Sequence, residues 1–330
     1  MHSRLLARIR MTTLSIGVLA LQGSFSEHVD LLNSLAPQFP SHTLEIVEVR
    51  TAVHLARVQS LIIPGGESTA ISLIAQRTNL IEPLRDFVKE AKGGRKAIWG
   101  TCAGMILVGQ EVVGGKEGAD NFAAGHGMDV RVVRNQWGRQ VSAFVSIDSN
   151  SFDQYADCTT HLPLYFSFTS HSQTRPTRSS SKCNYQIQSE SFTHPLSIDC
   201  LSHPTVPFSG IFIRAPVMHS LLDVSPNSPP LEILARVPRE ILPVPKVAPP
   251  PSAPASYSTP NEKDSHGSSG QVLLPTNGNY NTASSLGPDA DIVMAKQGNL
   301  VVSSFHPELT GDARVHEWFV REVVLAGQAV

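Results

Sequence analysis

Short apolar runs alternate along the first hundred residues with stretches whose apolar side chains recur every three or four positions. The apolar runs are 14–20, 44–49, 60–63 and 96–99. Their length and content are typical of strands buried in a parallel sheet. Between them, Val29, Leu32 and Leu35 share one helical face, and so do Leu84 and Val88. This alternation predicts an α/β fold, a doubly wound and mostly parallel sheet with helices on both faces.

The second half of the chain continues the pattern less regularly. Further strand-like runs are 128–133, 141–147, 210–214, 231–237, 291–296 and 299–305. A last helix is predicted to begin near Asp312, whose side chain suits an N-cap, and to bury Val315, Trp318, Phe319 and Val323.

Two stretches interrupt the alternation and suggest how the chain is organised. Residues 151–207 have no sustained period, and 239–289 are rich in Pro, Ser, Gly and Asn. We predict a disordered leader over 1–13 and a single domain over 14–330, with a core of about 14–150, 208–238 and 290–330. The first insertion, 151–207, is interpreted as a retained intron or a gene-model error. The second, 239–289, is interpreted as a disordered loop.

Composition excludes several classes of function. The chain has 330 residues, 41% of them hydrophobic, and a formal net charge of −2, so it has no basic stripe for nucleic acid. The longest uncharged apolar run, 97–109, is shorter than the roughly 20 residues that cross a bilayer. Four cysteines are too few and too irregularly spaced for a disulfide scaffold or a zinc site. We expect a cytoplasmic protein without metal or cofactor.

The strongest chemical signal is Gly100-Thr101-Cys102-Ala103-Gly104, which lies between a strand-like run and a helix-like run. This is the nucleophile-elbow pattern, in which a sharp turn exposes a Ser or Cys at the carboxyl end of a strand. The following helix would direct its amino end at Cys102, which favours the thiolate.

Other polar or glycine-rich elements also follow directly after predicted strands, at 21–23, 64–69 and 305–308. Ligands of open α/β sheets bind at this edge. His306 is therefore the candidate general base and acid for Cys102, and Glu308 the group that orients His306. The two side chains would face the same way from an extended segment. Backbone N–H groups of Gly66 and Ala103 would form an oxyanion hole.

These residues resemble those of the class I glutamine amidotransferases. More narrowly, the chain resembles the glutaminase subunits of pyridoxal 5′-phosphate synthase, the PdxT/SNO family. The matching stretches are 17–23 with 27–28, 61–69, 100–104, 134–135 with 138–140, 212–216 and 304–310. The strings Gly-Gly-Glu-Ser-Thr at 65–69 and Phe-Ile-Arg-Ala-Pro at 212–216 are the most specific of them.

The resemblance implies an activity, a partner and a set of site residues. The family hydrolyses L-glutamine and passes the ammonia to a TIM-barrel synthase subunit that makes pyridoxal 5′-phosphate, vitamin B6. Cys102, His306 and Glu308 correspond to the family's catalytic triad. The family's glutamine-binding positions correspond to Gly66, Glu67, Ser68, Arg134, Ile213 and Arg214.

The chemistry of glutamine agrees with this correspondence. The α-ammonium of glutamine needs an acceptor, which Glu67 could supply. Its α-carboxylate needs donors, which Arg134 or Arg214 could supply. Glu27 and His28 either face the partner or form the solvated start of a helix.

Alternatives remain open at this point. The chain could be a partner subunit that the 151–207 insertion has disabled, or a subunit that feeds a different synthase. It could also be a cysteine hydrolase of other specificity. The order Cys, then His-x-Glu, argues against an α/β-hydrolase, in which the acid precedes the histidine.

Overall fold

The computed structural model describes residues 11–113, 121–123, 125–134, 136–137, 192–223, 228–243 and 286–328. The strands of these residues are β1 (Thr12–Leu19), β2 (His42–Val49), β3 (Ser60–Ile63), β4 (Ala97–Thr101), β5 (Gly109–Val113), β6 (Met128–Val133), β7 (Phe192–Leu196), β8 (Phe208–Phe212), β9 (Val217–Leu221), β10 (Leu231–Arg236), β11 (Ile292–Gln297) and β12 (Leu300–Ser303). The α-helices are α1 (Phe25–Ser34), α2 (Ala52–Ala56), α3 (Ser68–Arg77), α4 (Ile81–Lys92), α5 (Ala103–Val108) and α6 (Arg314–Trp318).

The central sheet has seven strands in the order β10-β11-β12-β4-β3-β1-β2. The five strands from β12 to β2 run parallel to their neighbours. At the other edge, β10 and β11 add two antiparallel pairings. The prediction of a mostly parallel sheet is confirmed.

Helices cover both faces of this sheet, as predicted, because successive strand side chains point to opposite sides. On one face, the β1 residues Leu14, Ile16 and Val18 join a buried cluster with residues of α1 and α6. On the other face, Leu61 and Ile63 of β3 join a cluster with residues of α3, α4 and α5.

The described residues also form two smaller sheets, with the strand orders β5-β6-β9 and β7-β8. A buried polar network joins the first of them to the central sheet. Asp129 of β6 accepts hydrogen bonds from Lys92 Nζ at 2.7 Å and from Gln297 Nε2 at 2.7 Å. The Asp129 backbone N–H donates in return to Gln297 Oε1 at 2.9 Å.

The described part of the predicted insertion 151–207 begins at Phe192, and it contains a paired strand and buried side chains. Strand β7 pairs with β8, and Leu196, Ile198 and Leu201 are buried in the same cluster as β1. The extent of the insertion stays a prediction. The predicted strand 141–147, residues 1–10 of the leader and residues 244–285 of the second insertion lie outside the described residues.

The C-terminal helix begins two residues later than predicted. Asp312 accepts the backbone N–H of Arg314 at 3.0 Å, so its side chain still satisfies one of the free donors of the first turn. After α6 the backbone widens into a π-helix over Phe319–Leu325, which buries Phe319 and Val323 as the apolar stripe predicted.

Substitution of Gly104 tests how tightly α5 packs on the sheet. A Cβ at Gly104 would lie 2.1 Å from the Ile63 carbonyl oxygen. Helix propensity alone would make Gly104→Ala stabilising by about 0.5–1 kcal/mol, whereas a backbone clash destabilises by about 1–3 kcal/mol. We expect the clash to dominate in urea-unfolding measurements.

Gly93→Ala is the matched control, because a Cβ there would meet nothing closer than 3.5 Å. A Gly104→Ala protein as stable as the Gly93→Ala protein would contradict the close packing of α5 on β3.

Candidate active site

Four neighbouring parallel strands, β12, β4, β3 and β1, bring the predicted polar elements to one edge of the sheet. The pairing of β4 with β12 sets Thr101 opposite Ser303. The Cys102 backbone N–H then donates to the Ser303 carbonyl at 2.8 Å. Cys102 and His306 therefore leave adjacent strands within a few residues of the same level.

Cys102 occupies a sharp strand-to-helix turn. Its φ is +48°, in the region that non-glycine residues rarely adopt, so the turn holds the residue under backbone strain. A Cβ at Gly100 would lie 2.5 Å from the Gly104 carbonyl oxygen, so the turn leaves no room for a side chain at position 100. The side chain of Cys102 lies at the amino end of α5.

His306 and Glu308 meet as expected, but through a different backbone conformation. His306 Nδ1 and Glu308 Oε1 are 2.7 Å apart. The extended segment predicted for these residues is wrong, because Pro307–Leu309 form a turn of 3₁₀-helix after His306. The tight turn, rather than strand alternation, brings the carboxylate back to the imidazole.

The two groups shift each other's ionisation. Burial lowers the pKa of His306, but electrostatic interactions with the Cys102 sulfur and the Glu308 carboxylate outweigh it and raise the pKa to about 10. Burial likewise opposes ionisation of Glu308, yet His28, His306 and the Ser24 hydroxyl lower its pKa to about 2. Since Nδ1 of His306 contacts Glu308, its other ring nitrogen is the one available to Cys102.

Gly65 is what allows His306 to take this position. A Cβ on Gly65 would lie 2.2 Å from Cε1 of His306. The Gly65 carbonyl also accepts the Ser24 N–H at 3.2 Å, which ties the loop after β3 to the loop after β1.

A cavity of about 260 Å³ opens beside Cys102 and His306. All six predicted glutamine-binding residues line it. The lining residues are Gln22, Gly66, Glu67, Ser68, Cys102, Ala103, Ile106, Arg134, Ile213, Arg214 and His306. The structure thus brings together every predicted site residue except Glu308, which lies behind His306 and is only 4% exposed.

Glu67 and Arg134 already contact each other at this cavity. Glu67 caps α3, where its carboxylate accepts the N–H groups of Thr69 and Ala70. Burial opposes ionisation, but these hydrogen bonds and Arg134 lower the pKa of Glu67. Arg134 Nη2 lies 3.2 Å from Glu67 Oε1 and 2.8 Å from Ser68 Oγ.

Ile213 and Arg214 reach the cavity from the loop after β8. The Ile213 carbonyl oxygen lies 4.0 Å from Cys102 Sγ. Arg214 is exposed and has a φ of +46°.

Several residues at the site had not been given a role within it. Gln22 lines the cavity and accepts the Glu67 N–H at 2.8 Å. Ser24 donates a hydrogen bond to Glu308 Oε1. His28, expected at a partner surface or in solvent, is fully buried. The signal was available, because His28 and Leu32 lie four residues apart on the one face of α1 that is buried.

Neither a metal site nor a membrane segment emerges from the described residues. They contain no group of three or more His, Cys, Asp or Glu side chains that could hold a metal ion. In the same part of the chain, every helix is too short or too polar to cross a bilayer.

Comparison with known proteins shows that the chain is similar to glutamine amidotransferases and to subunits of pyridoxal 5′-phosphate synthase. The SNO glutamine amidotransferase family matches residues 18–161 and 274–325. A probable pyridoxal 5′-phosphate synthase subunit PDX2 of Arabidopsis thaliana is 32% identical, over 93% of this chain and 85% of the relative. The pyridoxal 5′-phosphate synthase subunit PdxT of Moorella thermoacetica is 30% identical, over 93% and 98%.

A solved structure supports the same fold. A crystal structure of a glutamine amidotransferase is similar with a TM-score of 0.51 and 27% sequence identity, over 94% of this chain and 98% of that one. The class I amidotransferase-like α/β fold is therefore confirmed.

The buried Glu308 carboxylate generates a prediction about stability and pH. Because its folded pKa of about 2 lies below the ordinary value of 4.5, its contribution is present above pH 4.5 and is lost as pH falls toward 2. We expect wild type to exceed Glu308→Gln in unfolding free energy by on the order of 3 kcal/mol at neutral pH, with the difference shrinking below pH 4.5.

Urea unfolding between pH 3 and pH 7 measures this difference. Glu82→Gln, at a side chain that is 75% exposed, controls for the substitution itself. A difference for Glu308→Gln that stays constant across this range would contradict an ionised, tightly held Glu308.

Proposed function

Since the chain belongs to the SNO glutamine amidotransferase family, we propose that it hydrolyses L-glutamine to L-glutamate and ammonia through Cys102, His306 and Glu308. One observation carries the proposal. Cys102 and His306 line the same cavity of small-molecule size, and Glu308 contacts Nδ1 of His306 at 2.7 Å. This is the arrangement that activates a cysteine nucleophile.

The first half of the reaction forms a thioester. The Cys102 thiolate attacks the side-chain amide carbon of glutamine, and the carbonyl oxygen becomes an oxyanion. His306, as imidazolium, donates its proton to the amide nitrogen, so that the C–N bond breaks and ammonia leaves. Cys102 is left with a γ-glutamyl thioester, and His306 is neutral.

The second half regenerates the enzyme. Neutral His306 takes a proton from a water molecule, which attacks the thioester carbonyl. The tetrahedral intermediate expels the Cys102 thiolate and releases glutamate. His306 is again imidazolium, so Glu308 stabilises the charged form at the start and at the end of the cycle.

Backbone N–H groups of Gly66 and Ala103 are proposed to hold the oxyanion. Ala103 is the first residue of α5, so its N–H has no acceptor within the helix. Gly66 lines the cavity on the side of β3. One such donor contributes about 3 kcal/mol of transition-state stabilisation.

Recognition of glutamine is assigned to the charged rim of the cavity. Glu67, with its lowered pKa, would accept the α-ammonium, and Arg134 or Arg214 would bind the α-carboxylate. Ser68 and Ile213 complete the lining. The Arg134–Glu67 contact would hold both side chains in place before the substrate arrives.

The relatives' names supply the proposed destination of the ammonia. They are subunits of pyridoxal 5′-phosphate synthase. We propose that this chain binds the corresponding TIM-barrel synthase subunit and delivers ammonia to it for the synthesis of pyridoxal 5′-phosphate.

Cys102→Ala tests the nucleophile. We expect ammonia release from glutamine to fall by at least about 10³-fold, because no other group can form the thioester. The assay measures ammonia from L-glutamine with and without the synthase subunit. Cys200→Ala, at an exposed cysteine, should retain wild-type activity.

The same assay separates the alternatives. Retained activity in Cys102→Ala would refute the mechanism. A wild-type chain that binds the synthase without releasing ammonia would instead indicate a non-catalytic partner subunit. Turnover of other amides but not glutamine would indicate a hydrolase of different specificity.

Arg214→Gln tests substrate recognition. Loss of a charge-assisted contact to the α-carboxylate should raise KM for glutamine by about 10- to 100-fold and leave kcat nearly unchanged. Arg131→Gln is the control, because Arg131 pairs with Glu111 on the second sheet and is outside the cavity lining. An unchanged KM for Arg214→Gln would assign the carboxylate to Arg134.

A further inference from the structure

A pair of histidines lies behind the Cys102, His306 and Glu308 group and takes no part in the reaction proposed above. His28 of α1 and His316 of α6 are both fully buried. His28 Nδ1 and His316 Nε2 are 2.8 Å apart, a hydrogen-bond distance. Trp99 contacts both rings edge-on, with centroids 5.8 Å from His28 and 5.0 Å from His316.

The other nitrogen of His28 faces the site. His28 Nε2 lies 3.4 Å from Glu308 Oε2 and 3.3 Å from Thr101 Oγ1. Thr101 immediately precedes Cys102 in the chain. His28 thus touches both the strand end that carries the thiol and the carboxylate that orients His306.

We propose that His28 is a positioning residue that donates its Nε2–H toward Glu308, and that His316 fixes the tautomer of His28 in which it can do so. The proposal rests on the proposed function, because it assigns a task within that same site. It adds two residues, 288 positions apart in the chain, to the group that prepares the thiol.

The number of N–H groups on the two rings determines which histidine donates the hydrogen bond between them. A neutral histidine carries one N–H and one acceptor nitrogen. His316 Nδ1 is buried and has no hydrogen-bond partner among the described residues. If His28 Nδ1 carried the proton, His316 would have to accept it at Nε2. The N–H of His316 would then be left buried and unsatisfied at Nδ1, which is unfavourable because its desolvation is not compensated.

The reverse assignment leaves no N–H orphaned. His316 Nε2–H donates to His28 Nδ1, and His28 Nε2–H is directed at Glu308 Oε2 and Thr101 Oγ1. Among the ring nitrogens of the two histidines, only the bare acceptor Nδ1 of His316 then lacks a partner. A lone pair on His28 would otherwise face the Glu308 carboxylate, which is repulsive.

Charge supports the same arrangement. Burial lowers the pKa of His28, although Glu308 and Glu27 oppose this shift and His306 reinforces it. Burial lowers the pKa of His316 well below its ordinary value, with His28 reinforcing it and Glu308 opposing. Both shifts favour the neutral rings that the tautomer argument requires, and the lowered pKa of Glu308 favours its negative charge.

The consequence for the reaction is that the proposed His28 N–H gives a donor to Oε2 of Glu308, the oxygen that has no other hydrogen-bond partner among the described residues. His306 and Ser24 contact Oε1, and His28 faces Oε2. With its plane fixed, the carboxylate keeps the His306 ring aimed at Cys102. Loss of the His28 donor frees that plane, so the effect should appear in kcat rather than in KM.

Nitrogen-15 NMR of histidine side chains in the wild-type chain tests the tautomers directly. We expect protonated Nε2 and bare Nδ1 in both His28 and His316, assigned by comparison with His28→Gln and His316→Phe. A protonated Nδ1 in His28 would overturn the proposal. This measurement needs no glutamine, so it decides the proposal even if the chain proves not to be a glutaminase.

Activity supplies the second test. We expect His28→Leu and His316→Phe to lower kcat about 10- to 100-fold, the range usual for groups that orient an active-site ligand, with KM within about twofold of wild type. His28→Gln, which retains an N–H donor near the Nε2 position, should recover most of kcat. His219→Gln, at a half-buried histidine of β9 that does not line the cavity, is the matched control.

The pH dependence of Cys102 alkylation by iodoacetamide, followed on the Cys102 peptide by mass spectrometry, completes the experiment. In His28→Leu the midpoint should move to higher pH, because a loosened Glu308 stabilises imidazolium less. Equal kcat loss in His28→Leu and His28→Gln, or an unshifted alkylation midpoint in a folded His28→Leu protein, would show that the pair only fills space.

Discussion

The parallel pairing of β4 with β12 is the constraint on which the site depends. It sets Thr101 beside Ser303, and Cys102, the residue after β4, donates its backbone N–H to the Ser303 carbonyl. The strand ends are thereby aligned, and a thiol and an imidazole that are two hundred residues apart in the chain become neighbours. A shift of one residue in this pairing would turn every side chain of β12 to the opposite face.

The second requirement is close packing around small residues. α5 approaches β3 so closely that Gly104 leaves no room for a methyl group, and Gly65 gives His306 its place. These contacts fix the amino end of α5 and the imidazole relative to one another. The strained turn at Cys102 is held by the same packing, since β4 and α5 determine both of its ends.

The third requirement is that the negative charge of the buried Glu308 carboxylate is stabilised by its neighbours. Glu308 is 4% exposed, and hydrogen bonds at Oε1 together with the nearby His28 offset the cost of burying its charge. His306 and Ser24 contact one oxygen and His28 faces the other. The carboxylate that contacts the imidazole therefore has neighbours of its own, Ser24 and His28 at the start of α1, so the contacts of the site extend one layer deeper into the core than the cavity wall.

Much of this could be predicted from local patterns, because they have local physical causes. Apolar runs of strand length predicted the central sheet, and Gly100-Thr101-Cys102-Ala103-Gly104 predicted a sharp turn since only small residues fit it. The His306–Glu308 contact was predicted correctly, although the backbone that forms it is a 3₁₀ turn rather than an extended segment. The catalytic and binding roles of these residues remain predictions.

Only the tertiary structure shows the contacts between elements that lie far apart in the chain, because the periodicity of apolar residues reports on each element separately. His28 sits beside an exposed Glu27 and looked like the start of a solvated helix, yet the packing of α1 against α6 buries it against His316. Arg134 and Arg214 enter the cavity from outside the central sheet, a meeting that strand alternation does not encode. Sequence by itself determined which elements form and which carry chemistry. Their three-dimensional packing determined which buried polar groups lie within hydrogen-bond distance of one another.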